Sequence, residues 1–220
     1  MLAEPTDAYL RLLPRELTMP PRIVAQQLSH PTGLFGRLIG RLMNRHNAKM
    51  NAFALELLEL TPADRVLEIG FGGGVTLSTL IERAGFVAGI DRSHVMAERA
   101  KARYAGVVAA GRAEFREGTV EALPFEAASF DKICTVNTIY FWRSLEAGFA
   151  EIHRVLAPGG RAVVGFLPKI HMDRMGMPRD IFTARAPEDV VAALENEGFV
   201  NLCVERPQPT TPWNVVVARC

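Results

Sequence analysis

Residues 65–76 read Arg-Val-Leu-Glu-Ile-Gly-Phe-Gly-Gly-Gly-Val-Thr, an apolar run with one acid that breaks into four glycines. The apolar residues are typical of a strand that is buried on both faces. The glycines allow the chain to turn sharply and to bring its backbone close to a ligand. From about Val75 to Arg83 the sequence predicts a helix, whose first amide groups lack partners within the helix. The segment therefore predicts a strand, a tight turn and a helix around a binding crevice.

The spacing of the glycines bears on which ligand the crevice accepts. A dinucleotide-binding turn reads Gly-x-Gly-x-x-Gly/Ala, and Val75 stands at its third position here. A second apolar strand ends at Asp91, twenty-one positions after Gly70. A carboxylate there can accept hydrogen bonds from both hydroxyls of a ribose. The alternative is a helix N-cap role for Asp91, although Ser93 is the better placed N-cap residue.

Several segments in chain order resemble motifs of the class I S-adenosylmethionine-dependent methyltransferases. The first is the pattern Glu68-x-Gly70-x-Gly72-x-Gly74, followed by Asp91 at the end of the second strand. Residues 118–125 and 129–133 resemble the family's Gly-Asp-Ala-x-x-Leu-Pro-Phe and Ser-Phe-Asp segments, and residues 151–160 resemble its helix-to-strand turn. The resemblance covers residues 65–166 and is strongest to the branch that acts on small molecules and lipids, including quinone-type methyltransferases.

The resemblance and the alternation of strand and helix patterns predict an α/β fold. We expect a doubly wound, mostly parallel, seven-stranded Rossmann-like sheet, with an N-terminal helical cap (1–60) in the same domain as the cofactor-binding catalytic core (61–220). The last strand of the family is antiparallel and enters by a hairpin. The strands are predicted near residues 65–69, 86–90, 112–116, 131–136, 161–167, 199–205 and 213–219.

The resemblance implies that S-adenosyl-L-methionine is the cofactor and that no metal is required. Its methyl group would pass by in-line displacement to an O, N or C nucleophile of a small-molecule or lipid acceptor. Glu68 and the glycine turn would hold the methionine portion, Asp91 the ribose, and Asn137 the floor beneath the methyl group. The predicted cofactor-binding residues are Glu68, Gly70, Phe71, Gly72, Gly74, Asp91, Arg92, Met96, Thr119, Val120, Glu121 and Asn137.

The sequence departs from the family pattern at two places. Thr119 stands where an acid usually follows the glycine, so the adenine amino group is expected to meet a hydroxyl, a backbone carbonyl or Glu121. Residues 137–142 lack the histidine pair that relatives often carry. We therefore consider Tyr140 and His171 as catalytic candidates, with His171 as a general base for a hydroxyl nucleophile. The alternative for His171 is a solvated loop position.

Aromatic residues follow the fourth predicted strand, where the acceptor should approach. The faces of Tyr140 and Trp142 could enclose a sulfonium or an amine by cation–π attraction, and both are predicted to contact the substrate. The alternative is that they belong to the core.

Composition excludes few partners. The net charge of +1 indicates no particular class of partner. The three cysteines are odd in number and lack the Cys-x-x-Cys spacing of a zinc site, so they indicate neither a disulfide framework nor bound zinc. A cytoplasmic location is the default, because the N-terminus is unlike a signal peptide and no apolar run approaches the roughly 20 residues that span a bilayer. We expect no nucleic-acid partner, because no additional target-recognition domain fits in 220 residues. The oligomeric state is left open.

Residues 34–49 form an amphipathic pattern with a basic row at Arg37, Arg41, Arg45 and Lys49. One interpretation is a helix that lies on an anionic membrane. We favour the other, in which the apolar face packs on the protein, because Gly33, Gly36 and Gly40 weaken an isolated helix by up to about 1 kcal/mol each. Two further functions stay open for the whole chain. They are an NAD(P)-dependent oxidoreductase, which Val75 disfavours, and a non-catalytic, methyltransferase-like scaffold.

Overall fold

The computed structural model describes residues 47–175 and 177–220. Seven strands form one sheet in these residues: β1 (Arg65–Ile69), β2 (Phe86–Asp91), β3 (Ala113–Glu117), β4 (Phe130–Val136), β5 (Leu156–Phe166), β6 (Val200–Glu205) and β7 (Asn214–Arg219). Their order across the sheet is β3-β2-β1-β4-β5-β7-β6. The first five strands are parallel, and β7 runs antiparallel between β5 and β6. The predicted fold class is confirmed, including the antiparallel last strand.

Helices cover both faces of this sheet. They are α1, which includes residues 47–57, then α2 (Leu77–Arg83), α3 (His94–Arg103), α4 (Ala105–Ala109), α5 (Leu145–Val155), α6 (Lys169–Arg174) and α7 (Pro187–Asn196), with a short 3-10 turn at Ile139–Phe141. The core on one face includes buried residues of α1, α2 and α3, and the core on the other includes those of α5, α6 and α7. In β1, Val66 faces the first core and Leu67 the second, as expected for a central strand.

Two element boundaries differ from the predicted ones by more than one residue. Helix α2 begins at Leu77 rather than Val75, because the chain is still turning at Gly74, which has φ +68° and donates its N–H to the carbonyl oxygen of Phe71 at 2.8 Å. Strand β5 begins at Leu156, because Leu156 pairs with Phe130 before a register shift. Sequence patterns show neither the extra turn nor the irregular pairing.

The described part of the predicted N-terminal cap packs against a face of the sheet. Met50, Ala54 and Leu58 of this segment are buried in the first core. Arg161 of β5 anchors the end of α1 by donating to the carbonyl oxygen of Leu57 at 2.6 Å. Residues 1–46 lie outside the described residues, and so do Arg37, Arg41 and Arg45 of the basic row. The favoured packing interpretation of residues 34–49 and the membrane alternative therefore both stay predictions. No helix within the described ranges is long and apolar enough to cross a membrane.

Candidate functional site

The ends of three central strands bring the predicted cofactor residues to one edge of the sheet. Strands β1, β2 and β4 are parallel neighbours and end at Ile69, Asp91 and Val136. The backbone N–H of Gly70 donates to the carbonyl oxygen of Ile90 at 2.7 Å, so the glycine turn begins directly beside the end of β2. Crevices at the carboxyl ends of such strands are the usual ligand sites of open α/β sheets.

The glycine turn has the backbone geometry that its sequence predicts. Gly70, Gly72 and Gly74 have φ values of +72°, +50° and +68°, which residues with a side chain rarely adopt. A Cβ atom on Gly70 would lie 2.3 Å from Cγ2 of Thr138, so the loop after β4 comes too close for any side chain there. A Cβ atom on Gly72 would meet nothing within 4 Å. Gly72 therefore borders open space in which a ligand can approach the backbone.

Glu68 places a buried carboxylate at the base of this turn. Its side chain is 7% exposed, and Oε1 accepts a hydrogen bond from the hydroxyl of Thr76. Oε2 is buried and has no hydrogen-bond partner. Burial raises the pKa of Glu68 to about 7; the charge of Asp91 also raises it, and the bond from Thr76 lowers it. An unpaired buried carboxylate oxygen is costly, and a cationic group of a ligand would satisfy it.

Asp91 joins the end of β2 to the glycine turn. It is 8% exposed; Oδ2 accepts from the backbone N–H of Gly72 at 2.7 Å, and Oδ1 accepts from that of Ser93 at 2.9 Å. Ser93 occupies the N-cap position of α3, as predicted, but its side chain makes no capping bond. Asp91 therefore has a structural role in holding the turn, and its contact with a ribose stays a prediction.

The predicted adenine-side residues divide between exposed and buried positions. Thr119 is exposed, and Glu121 accepts a hydrogen bond at Oε1 from the backbone N–H of Arg143 at 2.8 Å. Val120 is buried in the core. Only the backbone of Val120 is left to face a ligand, and its place in the cofactor set stays a prediction.

Phe71, Arg92 and Met96 complete the predicted cofactor set. The ring of Phe71 is buried and packs edge-on against Phe115 at 5.7 Å between centroids, so Phe71 too can offer only its backbone to a ligand. Arg92 lies over the ring of Phe141 at 4.9 Å, so the loops after β2 and β4 touch each other across the end of β1. Met96 is buried and lines a cavity of about 320 Å³ with the glycine turn, Leu77 and residues of α3. This cavity is not lined by Asp91, Glu121 or Asn137.

A buried tyrosine organises the loop after β4. The hydroxyl of Tyr140 donates to Oδ1 of Asn137 at 3.1 Å and accepts from the backbone N–H of Leu167. Asn137 has φ +59°, and its N–H donates to the carbonyl oxygen of Gly165 at 2.8 Å. Burial raises the pKa of Tyr140 above its ordinary value, so the phenol stays protonated at neutral pH. This geometry favours a positioning role for Tyr140 over a role as a base.

The other predicted substrate residue lies in the core. Trp142 is 6% exposed and packs edge-on against Phe149 at 5.3 Å, with the backbone of Gly148 beneath its ring. Because its ring is buried, Trp142 favours the core alternative over contact with the acceptor. Phe141 is half-buried and packs against Phe182, with 5.0 Å between the two ring centroids. Sequence reasoning missed Phe182, because residues 177–186 carry no motif that signals a contact with the loop after β4.

His171 lies in α6, directly after β5. It is half-buried, and burial lowers its pKa, as do the positive charges of Arg174 and Arg206. The imidazole is therefore neutral at pH 7 and able to accept a proton. The general-base role of His171 stays a prediction. In the described ranges, no group of three His, Cys, Asp or Glu side chains is arranged to hold a metal ion.

Comparisons with known proteins identify similar chains. Residues 67–164 match the family model described as a methyltransferase domain. The chain is 31% identical over 134 residues to the uncharacterized methyltransferase YdaC of Bacillus subtilis, covering 60% of this chain and 72% of that protein. It is 32% identical to a ubiquinone/menaquinone biosynthesis C-methyltransferase of Geotalea daltonii over 51% of this chain, and it spans only 49% of that relative.

A solved structure shows the same fold. Geranyl diphosphate C-methyltransferase from Streptomyces coelicolor, in complex with Mg²⁺, geranyl diphosphate and S-adenosyl-L-homocysteine, superposes with a TM-score of 0.65 at 14% identity, covering 80% of each chain. At this identity the similarity concerns the fold alone.

Proposed function

We propose that this chain, which belongs to the class I S-adenosylmethionine-dependent methyltransferases, methylates a small organic acceptor held beside the loops after β4 and β5. Its membership rests on the match over residues 67–164 and on its likeness to a methyltransferase over 72% of that relative. The predicted enzyme class and cofactor are thereby confirmed. When bound, S-adenosylmethionine supplies a methyl group activated by its sulfonium. The protein then has to align the acceptor and exclude water, and alignment alone can contribute roughly 7 to 11 kcal/mol.

The unpaired oxygen of Glu68 carries the assignment of residues to the cofactor. We place the α-ammonium group of the methionine portion at Oε2, because a buried carboxylate gains most from a cationic partner. The open backbone at Gly72 then faces the same ligand. A dinucleotide would instead bring its negative pyrophosphate to this turn, next to the buried acid. That repulsion adds to the argument from Val75 against a nicotinamide oxidoreductase.

The neighbouring residues complete the proposed site. Asp91 is proposed to bind the ribose hydroxyls, and Thr119 and Glu121 lie on the adenine side. Asn137, held by Tyr140, would form the floor beneath the methyl group. For a hydroxyl nucleophile, His171 would accept the proton, since its lowered pKa keeps it neutral at pH 7.

The acceptor class is supported by the aromatic contacts beside this floor. Phe141 forms a half-buried aromatic surface next to Tyr140, and the buried ring of Phe182 packs behind it with 5.0 Å between the ring centroids. The relatives include enzymes named as C- and O-methyltransferases. We therefore propose an acceptor with an apolar, flat body and an oxygen or carbon nucleophile.

Calorimetry with cofactor analogues tests the assignment. The purified protein should bind S-adenosylhomocysteine, whereas NAD and NADP should produce no heat, because Glu68 accepts an ammonium group and repels a pyrophosphate. Micromolar binding of NAD without any response to S-adenosylhomocysteine would overturn it. Methyl transfer from labelled S-adenosylmethionine to any member of a phenol and quinol panel would exclude the scaffold alternative.

A methyl group added at Gly72 should block cofactor binding. Gly72→Ala places Cβ in the open space above the turn, where we expect the ligand to contact the protein backbone. The positive φ of this residue also adds strain, on the order of 1 to 2 kcal/mol. Gly111→Ala is the matched control, because Gly111 has φ +70°, nothing within 4 Å of its Cβ position, and a place remote from the crevice. Both variants should lose similar stability by thermal melting. Only Gly72→Ala should lose S-adenosylhomocysteine affinity, and equal affinities in the two variants would place the ligand elsewhere.

A further inference from the structure

We propose that the acceptor carries an anionic group, a carboxylate or a phosphate, that is bound by Arg206, Asn214 and His171 where β5 ends and β7 begins. This inference rests on the proposed function, because it describes the acceptor side of the same site.

The three residues lie at the same edge of the sheet as the cofactor crevice. Phe166, the last residue of β5, pairs with Asn214, the first residue of the antiparallel β7. The next residue after β5, Leu167, donates its N–H to Tyr140, which holds Asn137. His171 follows in α6, within the same connection. The group therefore adjoins the floor on which the methyl group is proposed to lie.

Asn214 contributes an unused donor. Its side chain is fully buried, and Oδ1 accepts a hydrogen bond from Nε of Arg206. Its Nδ2 is buried without a hydrogen-bond partner. Side chains alternate along β7, so Asn214 is on the same face as Val216 and Ala218, which belong to the core that also contains Met172 of α6. An amide among apolar neighbours with an unpaired N–H costs roughly 1 to 3 kcal/mol, and an apolar residue of similar size would avoid that cost.

Arg206 contributes an uncompensated positive charge. The bond from its Nε to Asn214 fixes the plane of the guanidinium, and among residues 47–175 and 177–220 it forms no ion pair. A planar guanidinium binds carboxylate and phosphate oxygens through two parallel hydrogen bonds. Burial and the charges of Arg174 and Arg206 lower the pKa of the half-buried His171, which follows β5 at the same end of the sheet. We take its imidazole N–H as the third donor of the group.

Acidic residues nearby do not neutralise this group. Asp173 pairs with Lys169 at 3.0 Å and with Arg179 at 3.4 Å, so its charge is matched within its own helix and loop. Glu205 accepts a hydrogen bond from the thiol of Cys203 at 2.9 Å, on the same face of β6, and forms no ion pair with Arg206 among the described residues. Arg206, Asn214 and His171 therefore supply three N–H donors, and the guanidinium among them carries a full positive charge, which suits an anion better than a neutral polar group.

Matched small molecules test the proposal. Binding of para-hydroxybenzoate, para-hydroxyphenyl phosphate and the neutral methyl para-hydroxybenzoate is measured by calorimetry on the protein saturated with S-adenosylhomocysteine. We expect either or both anions to bind at least tenfold more tightly than the ester. Arg206→Gln should reduce that anion affinity by roughly 10- to 150-fold, the range for a hydrogen bond to a charged group, and leave the ester unchanged. Asn214→Leu, which removes the buried amide without leaving a polar group, should reduce it also.

Arg179→Gln is the matched control, because it removes the same charge from the same region at a side chain that is 83% exposed and already paired with Asp173. It should bind every probe as the unmodified protein does. Equal binding of the anions and the ester by the unmodified protein, failure of all three to bind, or an equal loss in Arg206→Gln and Arg179→Gln would overturn the proposal. Saturation with S-adenosylhomocysteine is measured first on each variant, so a failed cofactor assignment is seen separately from a failed anion site.

Discussion

Replacing Glu68 with glutamine should remove most of the pH dependence of stability that the unliganded protein shows between about pH 4.5 and about pH 7. Burial raises the pKa of Glu68 to about 7 in the folded protein, from 4.5 without burial. Between these values the folded protein holds a proton that the unfolded chain has released. The free energy of unfolding is therefore highest at low pH, where both states are protonated. It falls as the pH rises through about 7, by something on the order of 3 kcal/mol in total.

Denaturant unfolding at several pH values measures this effect. The unmodified protein should become less stable from acid to neutral pH, whereas Glu68→Gln should have a flatter profile, because its amide does not ionise. Glu151→Gln is a control, because Glu151 makes stability depend on pH in the opposite direction to Glu68. The hydrogen bond from Arg154 lowers the pKa of Glu151, so Glu151 stabilises the fold at neutral pH and that contribution is lost as the pH falls. A profile of Glu68→Gln that parallels the unmodified protein would show that Glu68 is not the titrating group.

The same carboxylate should make cofactor binding depend on pH. Ionised Glu68 attracts the ammonium group of the ligand, so binding must first remove the proton from Glu68 below about pH 7. Affinity for S-adenosylhomocysteine should therefore fall by up to roughly tenfold for each pH unit below 7. Glu68→Gln should bind more weakly at about pH 8, by roughly 10- to 150-fold, and with little dependence on pH. A normal affinity in this variant would remove Glu68 from the proposed site.

Asp91→Ala should lose both cofactor affinity and stability. Its carboxylate holds the N–H groups of Gly72 and Ser93, and these bonds to a charged group each contribute roughly 1.5 to 3 kcal/mol net. The unliganded variant should therefore melt at a lower temperature. The loss of ribose hydrogen bonds should weaken S-adenosylhomocysteine binding by roughly 10- to 150-fold. Asp91→Asn should lose less of each, because its amide oxygen still accepts one bond.

Asp64→Ala separates the two effects of Asp91→Ala. Asp64 is also a buried acid that caps a turn, since its Oδ2 accepts from the N–H of Thr61 at 2.6 Å. It precedes β1, at the edge of the sheet away from the crevice. Asp64→Ala should lower the melting temperature and leave the affinity of the folded protein unchanged. If Asp91→Ala behaves in the same way, with normal affinity, the role of Asp91 is structural and the ribose assignment is wrong.

The contacts of Asp91 and Tyr140 show where sequence reasoning reaches its limit. The spacing of Asp91 from Gly70 predicts that it ends the second strand beside the turn, and it does. The sequence presents the ribose and capping roles as alternatives, but the structure shows that a carboxylate with two oxygens already supports the turn. For Tyr140 and Trp142, the order of residues predicts a position after β4. It does not predict that the hydroxyl of Tyr140 both donates and accepts a hydrogen bond, or that the ring of Trp142 is buried.

The sequence by itself determined the fold class, the crevice and the glycine turn, because these depend on local properties: apolar runs form buried strands, and positive φ angles require glycine. The tertiary structure decided which of the candidate polar groups lack partners. The free oxygen of Glu68 depends on where Thr76 lies, and the free amide of Asn214 depends on Arg206 across a hairpin. Burial and pairing are set by residues that approach from other elements, and a pattern along one segment carries no information about those distances.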